Sequence, residues 1–453
     1  MKISNIIALT CIAVVGYMTY AMQPTERGES SAMAAARGEE QNIPTLQQLS
    51  MTRIAKGLHD GEMRIDVTGM PKYPQERMAV LDRFFPDHVK AIAEAYYRLY
   101  PEEFPTTQTQ KIPGIAVFLA RLSDGSFIVT IDDYRAFCIV QRWRLQSDGT
   151  FVSSEELKVA RSDLSNDSMA VSLDGNIMCL GPKLPMPIYA RDSLGKFQRV
   201  QAISGDTDWL GEISCCAVYS DTVSKTLAVC YYSTTRKQNL LDIYDWNPEL
   251  NRFEKLQEMF ERAWDVQFID NNCFIAAAWD RVTVWARKTI GETFTLRETL
   301  FTGEIEKRGP AALSLNKRIF VWGMERDKRE RIAILERDTQ NHFTPKQEIT
   351  GPEWYGSNSL YLSSNGRRLI MTYDTNVNIW ISDSKGHFSR KDRVSIAAGG
   401  FTQTILAGEQ ENYLVVCGHD SAIYKVYPSL DDIWNHILER QQALQHIGKA
   451  KTL

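Results

Sequence analysis

Apolar residues in this chain come mostly in short runs separated by Gly, Asn, Asp and Ser, the pattern of β-strands joined by tight turns. One unit of the pattern recurs six times: a Gly or Asn, one or two residues, then Phe. It reads Gly149-Thr150-Phe151, Gly195-Lys196-Phe197, Asn251-Arg252-Phe253, Gly291-Glu292-Thr293-Phe294, Asn341-His342-Phe343 and Gly386-His387-Phe388. Six positions after each Phe stands another apolar residue: Leu157, Ile203, Met259, Leu300, Ile349 and Val394. The Phe residues are 41 to 56 positions apart, the period of propeller blades or solenoid repeats. Gly or Asn supplies the positive φ of a hairpin turn, and Phe opens the strand after it.

A larger unit surrounds each motif. An apolar strand leads to an acidic or amide turn, then to a second apolar strand, a third strand, the Phe turn and a fourth strand. The first turns are Asp124-Gly125, Asp174-Gly175, Asp221, Asp270-Asn271-Asn272, Asn316-Lys317, Asn365-Gly366 and Glu409-Gln410-Glu411, which makes seven repeats. Third strands include Val282-Thr283-Val284-Trp285, Ile332-Ala333-Ile334-Leu335 and Val377-Asn378-Ile379-Trp380, β-branched and aromatic runs suited to sheets buried on both faces. The seventh repeat lacks a Phe motif and so a fourth strand. Gln108-Thr109-Gln110-Lys111-Ile112-Pro113-Gly114, ahead of the first repeat, matches the fourth strands Val200 to Gly205 and Lys346 to Gly351. Borrowed from the N-terminal side, it closes the ring and removes an exposed edge. The expected fold is all-β: a seven-bladed propeller over 105–428.

The flanks read differently. Residues 1–21 hold Lys2, an apolar core from Ile6 to Val15, and Thr19-Tyr20-Ala21, the form of a cleaved signal peptide, with a membrane anchor as the alternative. Residues 22–44 are poor in apolar side chains and read as a disordered linker. Over 45–104 the period becomes helical: Leu46, Leu49, Ile54 and Leu58, then Val89, Ile92, Ala93, Tyr96 and Tyr97. Pro86 suits a helix first turn and Pro101 ends the run. Over 429–453 a further helix carries a stripe of Leu430, Ile433, Trp434, Ile437, Leu438 and Leu444 and is expected on the propeller or on the N-terminal helices.

Composition adds little to this picture. The chain has 453 residues and a net charge of −4, so no overall basic field favours nucleic acid. Seven cysteines remain beyond Cys11, an odd number. Cys179, Cys230 and Cys417 recur at one place in three repeats, inside apolar strands, and read as small buried hydrophobes rather than disulfide partners or zinc ligands.

With its blades assigned, the region from 105 to 428 resembles the WD-repeat propellers, through its Asp/Asn-Gly turns and third strands such as Val282 to Trp285 and Val377 to Trp380. It departs from them in lacking the Gly-His dipeptide before the first strand and a Trp-Asp at any third-strand end; the third repeat has Tyr244-Asp245-Trp246 instead. The resemblance implies the fold and, in function, the binding of other proteins. The segment 46–100 resembles F-box-like modules, through Met70-Pro71 and Phe85 to Ile92, which implies a substrate receptor of a ubiquitin-ligase complex.

No catalytic motif stands out: neither H-E-x-x-H, nor G-x-S-x-G, nor a phosphate-binding Gly loop with Lys is present. The acids cluster in turns, where Asp serves turn geometry. The expectation is a chain with no catalytic residue, no metal and no cofactor: an exported, monomeric protein-interaction scaffold that is not an enzyme. A ubiquitin-ligase receptor and a ligand-binding or enzymatic propeller of the cell envelope are the alternatives. Candidate protein-binding residues are aromatics in the connections between blades (Trp209, Trp264, Trp354 and Tyr355) and the basic residues Arg326, Lys328, Arg329 and Arg331. Packing against the neighbouring blade is the alternative role for the aromatics, and a solvated mixed loop for the basic residues, which Glu325, Asp327 and Glu330 interleave.

Overall fold

The computed structural model describes residues 46–60, 86–100, 103–104 and most of 106–440, leaving out mainly short connections such as 133–136, 161–168, 205–212, 303–306, 351–356 and 396–400. The signal peptide, the linker and Met70-Pro71 of the F-box-like resemblance lie outside the described residues. The chain divides into two compact units, one of residues 106–426 and one of residues 1–105 with 427–453.

The larger unit is a seven-bladed β-propeller of four-stranded antiparallel sheets. The strand β1 (Thr107–Lys111) precedes blade one, β2–β5 (residues 115–160), and blade two, β6–β9 (169–203). Blades three to six follow as β10–β13 (213–259), β14–β17 (263–302), β18–β21 (307–350) and β22–β25 (357–395). The last blade has only β26–β28 (401–425) of its own. Its fourth strand is β1, which pairs antiparallel with β28, Gln108 opposite Tyr424 and Lys111 opposite Ala422. The ring is thus closed by the strand the sequence offered for it, and closure removes the edge an open array would expose.

The Phe motif explains itself locally. All six of its Gly or Asn residues have positive φ, from 51° at Asn251 to 86° at Gly291. In four of the turns an Asp side chain accepts the backbone N–H groups that follow it, as Asp338 does from Gln340 and His342, and Asp383 from Lys385 and His387. His342 and His387 thereby serve the turns through their backbones. Each Phe then buries its ring between two blades: Phe151, Phe197, Phe253, Phe294, Phe343 and Phe388 are all at most 6% exposed. The second strand of a blade lies between two neighbours and is covered on both faces, so Phe127–Asp132, Cys273–Ala278 and Tyr413–Gly418 are buried at every residue. Cys179, Cys230 and Cys417 occupy such strands as fully buried thiols.

Asp245, from the reversed Tyr-Asp-Trp, accepts a hydrogen bond from Thr226 (2.9 Å) and pairs with Arg287 of blade four at 2.5 Å. The Arg287 side chain is wholly buried, and its guanidinium lies 4.5 Å from the centre of the Phe294 ring. One cation thus joins two blades.

The smaller unit contains α1 (Leu46–Asp60) and α2 (Pro86–Leu99), with residues 433–434 and 436–440 helical as well. Ala55, Leu58, Ala93 and Tyr96 share one apolar core with Ile433, Trp434 and Ile437, so the C-terminal stripe covers the N-terminal helices. Glu103 pins the polar side of this unit. Its carboxylate accepts from Tyr96 Oη (2.9 Å) and Arg440 (3.0 Å) and faces Nε2 of both His59 (3.0 Å) and His436 (2.6 Å). Burial alone would raise its pKa, but these partners outweigh burial and hold it below the usual carboxylate value.

Candidate functional site at the seam between blades four and five

Most blade seams are fastened by the same device. A Gln on the fourth strand of one blade reaches the motif Phe of the next, donating to its carbonyl and accepting from its N–H. Gln201 holds Phe253 at 2.8 and 2.7 Å, Gln257 holds Phe294 at 2.9 and 2.7 Å, and Gln347 holds Phe388 at 2.8 and 2.6 Å. Gln110 of β1 does the same for Phe151, at 2.9 and 3.1 Å. Only a primary amide carries donor and acceptor side by side, which is why the position is Gln.

A second device lies on the third strands, where an aromatic hydrogen-bonds the residue two before it. Trp143 donates to Gln141 (3.2 Å), Trp285 to Thr283 (3.0 Å), and Tyr244 to Asp242 (3.1 Å). Residues two apart on a strand share a face, so ring and partner enter the same seam.

Blade five breaks both rules at its seam with blade four. Counting four residues from Phe294, as Gln201 stands from Phe197, gives Glu298, which cannot donate to Phe343. One of its oxygens faces Nδ1 of His342 at 3.2 Å; the other is buried without a partner among the described residues. On the third strand β20 (Arg329–Arg337), the aromatic and its partner are replaced by Leu335 and Ala333. The indole has moved to the second strand β19 (Ile319–Arg326), where Trp322 lies directly opposite Ala333. Trp322 is 1% exposed, packs edge-on to Phe301 at 4.9 Å, and has no partner for its indole N–H among the described residues.

The small residues leave a space. A cavity of about 370 Å³ lies in this seam, walled by Leu300, Phe301, Trp322, Met324, Ala333 and Leu335 among others. That volume falls at the lower end of pockets that hold small molecules, about 300–1,000 Å³. Glu298 lies opposite Val284, and Phe301 opposite Val282, so both side chains face into this seam. Lys346, Gln347 and Glu348 also line it, so an apolar surface and a few polar groups meet in one cleft, an arrangement suited to binding a small molecule.

The residues singled out from the sequence lie elsewhere. Trp209, Trp354, Tyr355 and Lys328 are outside the described residues. Trp264 is a half-buried residue of the innermost strand of blade four, β14 (Ala263–Asp270). Arg326 and Arg329 face each other in register across the β19–β20 hairpin, and Arg331 pairs with Glu348. Ile332-Ala333-Ile334-Leu335 has the same strand propensity as its counterparts, which hides the pocket in the sequence. Set beside Val282 to Trp285 and Val377 to Trp380, it shows the missing aromatic and the missing polar partner.

No protein-family model matches the chain, and no curated protein matches it. Solved structures of similar shape exist. One is the β-propeller domain of Swd1 from Myceliophteria thermophila, 13% identical, covering 71% of this chain and 99% of that one, with a TM-score of 0.51. Another is the periplasmic gluconolactonase PpgL of Pseudomonas aeruginosa, 13% identical, covering 69% and 88%, with a TM-score of 0.48. At such identities the likeness shows the fold alone: this chain is a seven-bladed β-propeller. It also corrects one expectation. Propellers of this general shape include a protein named as a lactonase, so the reading that this chain is not an enzyme is withdrawn. Among the described residues no helix is long and apolar enough to cross a membrane.

Proposed function

We infer that the chain is a ligand-binding propeller whose site is the pocket between blades four and five. The observation that carries this reading is the 370 Å³ cavity in this seam, lined by apolar side chains together with Lys346, Gln347 and Glu348. A cleft of this size with a few polar groups among apolar walls is the usual form of a small-molecule site. The reading covers turnover as well as retention of the ligand. An exported protein with its N-terminal leader removed belongs to the same proposal and is checked by N-terminal sequencing of the mature chain.

The test is to purify the full chain and an Ala333→Phe variant from the same cells, denature both, and identify released small molecules by mass spectrometry. Phe at this position fills the cavity. A compound released by the wild type and absent from the variant supports the reading; identical release from both refutes it. Incubating the isolated compound with the protein and analysing products separates binding from turnover.

A second reading, capture of another protein, is favoured by Leu194, Val223, Leu250 and Ile290. These are 81%, 83%, 52% and 48% exposed on turns of three consecutive blades, two to four. All four turns lie at the same end of their sheets. Apolar side chains clustered on one rim suit a protein interface. A Leu194→Asp, Val223→Asp, Leu250→Asp variant should lose partners that the wild type captures by cross-linking; undiminished capture would remove this rim from consideration.

A further inference from the structure

Two cysteines of blade three face each other. Cys230, on β11 (Lys225–Ser233), lies directly opposite Cys215, on β10 (Ile213–Ser220). At the same place in blades two and seven, Cys179 faces Ala170 and Cys417 faces Gln403, so the pairing is peculiar to blade three. Residues so placed have Cα atoms about 4.5–5.5 Å apart, inside the roughly 4.4–6.8 Å that a disulfide spans. Both thiols lie on one face of the sheet, in the apolar cluster shared with blade four. The neighbouring Cys216 lies on the other face, packed in the seam with blade two and away from Cys230.

We propose that Cys215 and Cys230 form a disulfide by exchange with a small soluble disulfide such as oxidised glutathione. One protein thiolate attacks the small disulfide, bonds to one of its sulfurs and expels the other. The second protein thiolate then displaces the remaining half in the same way. Two protein thiols and one small disulfide become one protein disulfide and two small thiols, and the two cysteine protons end on the expelled sulfurs. The protein pair is oxidised and the small disulfide is reduced.

The finished ring shields this pair, which sets the moment of exchange. The Cys230 sulfur lies 3.7 Å from the carbonyl oxygen of Glu261, and the Cys215 sulfur 4.0 Å from that of Ala263, in the chain that enters blade four. A hydrogen bond with Cys230, together with burial, pushes the Cys215 thiol well above its usual pKa, so in the ring it stays un-ionised. Exchange needs a thiolate. It therefore belongs to the stage when blade three has formed and blade four does not yet cover its face. The bond fixes β10 against β11 beside the irregular pairing between Ile213 and Cys215, where the register is least secured.

The test makes the full chain by cell-free translation in a buffer of reduced and oxidised glutathione. Remaining thiols are alkylated in denaturant, and an unreduced tryptic digest is read by mass spectrometry. The expected product is peptide 200–225 joined to peptide 226–236, with Cys216 alkylated. Chain made in reductant and only then moved to the same buffer should form the link at least about tenfold more slowly, since a buried thiol is scarcely ionised. Cys215→Ser should abolish the joined peptide, and Cys216→Ser should leave it. Peptide 226–236 found only alkylated, only carrying glutathione, or joined elsewhere would overturn the pairing, as would loss of the joined peptide in Cys216→Ser. Equal rates during and after synthesis would overturn the shielding by blade four. The wild-type digest decides the pairing even where a variant does not fold, because fragmentation of the joined peptide distinguishes Cys215 from Cys216.

Discussion

The seam between blades three and four and the seam between blades four and five are built from the same repeat, yet one is fastened and the other is open. In the first, Gln257 clasps the Phe294 backbone, Trp285 is capped by Thr283, and Arg287 crosses to Asp245 and Thr226. In the second, Glu298 replaces the clasp, Leu335 replaces the aromatic, Ala333 replaces its partner, and a cavity remains. The difference shows how a ring can specialise. Each blade contacts only its neighbours, so one seam can give up packing and hydrogen bonds while the seams on either side of its two blades keep their Gln clasps.

Changes that open the fastened seam should have the largest effect. Arg287→Ala leaves Asp245 without its cation beside a buried gap, and breaking such a pair costs about 3–5 kcal/mol; a guanidinium unfolding curve should move to clearly lower concentration. Gln257→Ala comes next. It strands the N–H and C=O of Phe294, at about 1–3 kcal/mol for unsatisfied buried groups, and a shift in unfolding midpoint without a change in slope checks it. The reverse change, Glu298→Gln in the open seam, supplies the missing amide and should stabilise by roughly 1 kcal/mol. An unchanged midpoint would show that Glu298 does not stand in the place of the clasp.

The seam between blades two and three offers the smallest effect, one that depends on pH. Asp242 is buried, which raises its carboxyl above the usual range despite Lys255, Tyr244 and Tyr231. A carboxyl whose folded pKa exceeds its unfolded one binds its proton more tightly when folded. Its contribution is therefore full below the unfolded pKa and is lost as pH rises through the folded value. Asp242→Asn should flatten that slope, so the stability difference between variant and wild type, measured at pH 4 and pH 7, should change in favour of the variant at the higher pH. A constant difference would show that Asp242 titrates alike in both states.

The architecture was legible because its determinants are local and repeated. A positive-φ Gly or Asn before a buried Phe, seven acidic or amide turns, and Gln108 to Gly114 as the spare fourth strand each follow from short-range chemistry. The pocket was legible only as a departure. Leu335, Ala333 and Glu298 are ordinary residues by type, and they carry meaning only once the blades are aligned and the clasp that Glu298 displaces is known. The Gln clasp itself joins residues 37 to 52 positions apart and leaves just a faint mark, a Gln four places after several of the motif Phe residues. The aromatics of the inter-blade connections drew attention because Trp and Tyr favour interfaces; that preference says nothing of cavities.

Closure by β1 sets an order of events during synthesis. The strand leaves the ribosome first, yet its partner β28 begins about 310 residues later, at Ala422. At common elongation rates of about 5–20 residues per second, that is a wait of roughly 15–60 s. Blades one to six each have all four strands consecutive in the chain and can form as they emerge, whereas the seventh is assembled from the oldest and the newest strands together. Until then β1 is a free strand beside a growing stack of sheets, and a chain halted before Ala422 has nothing to pair it with. The ring is therefore made only once its last strand, β28, has been synthesised.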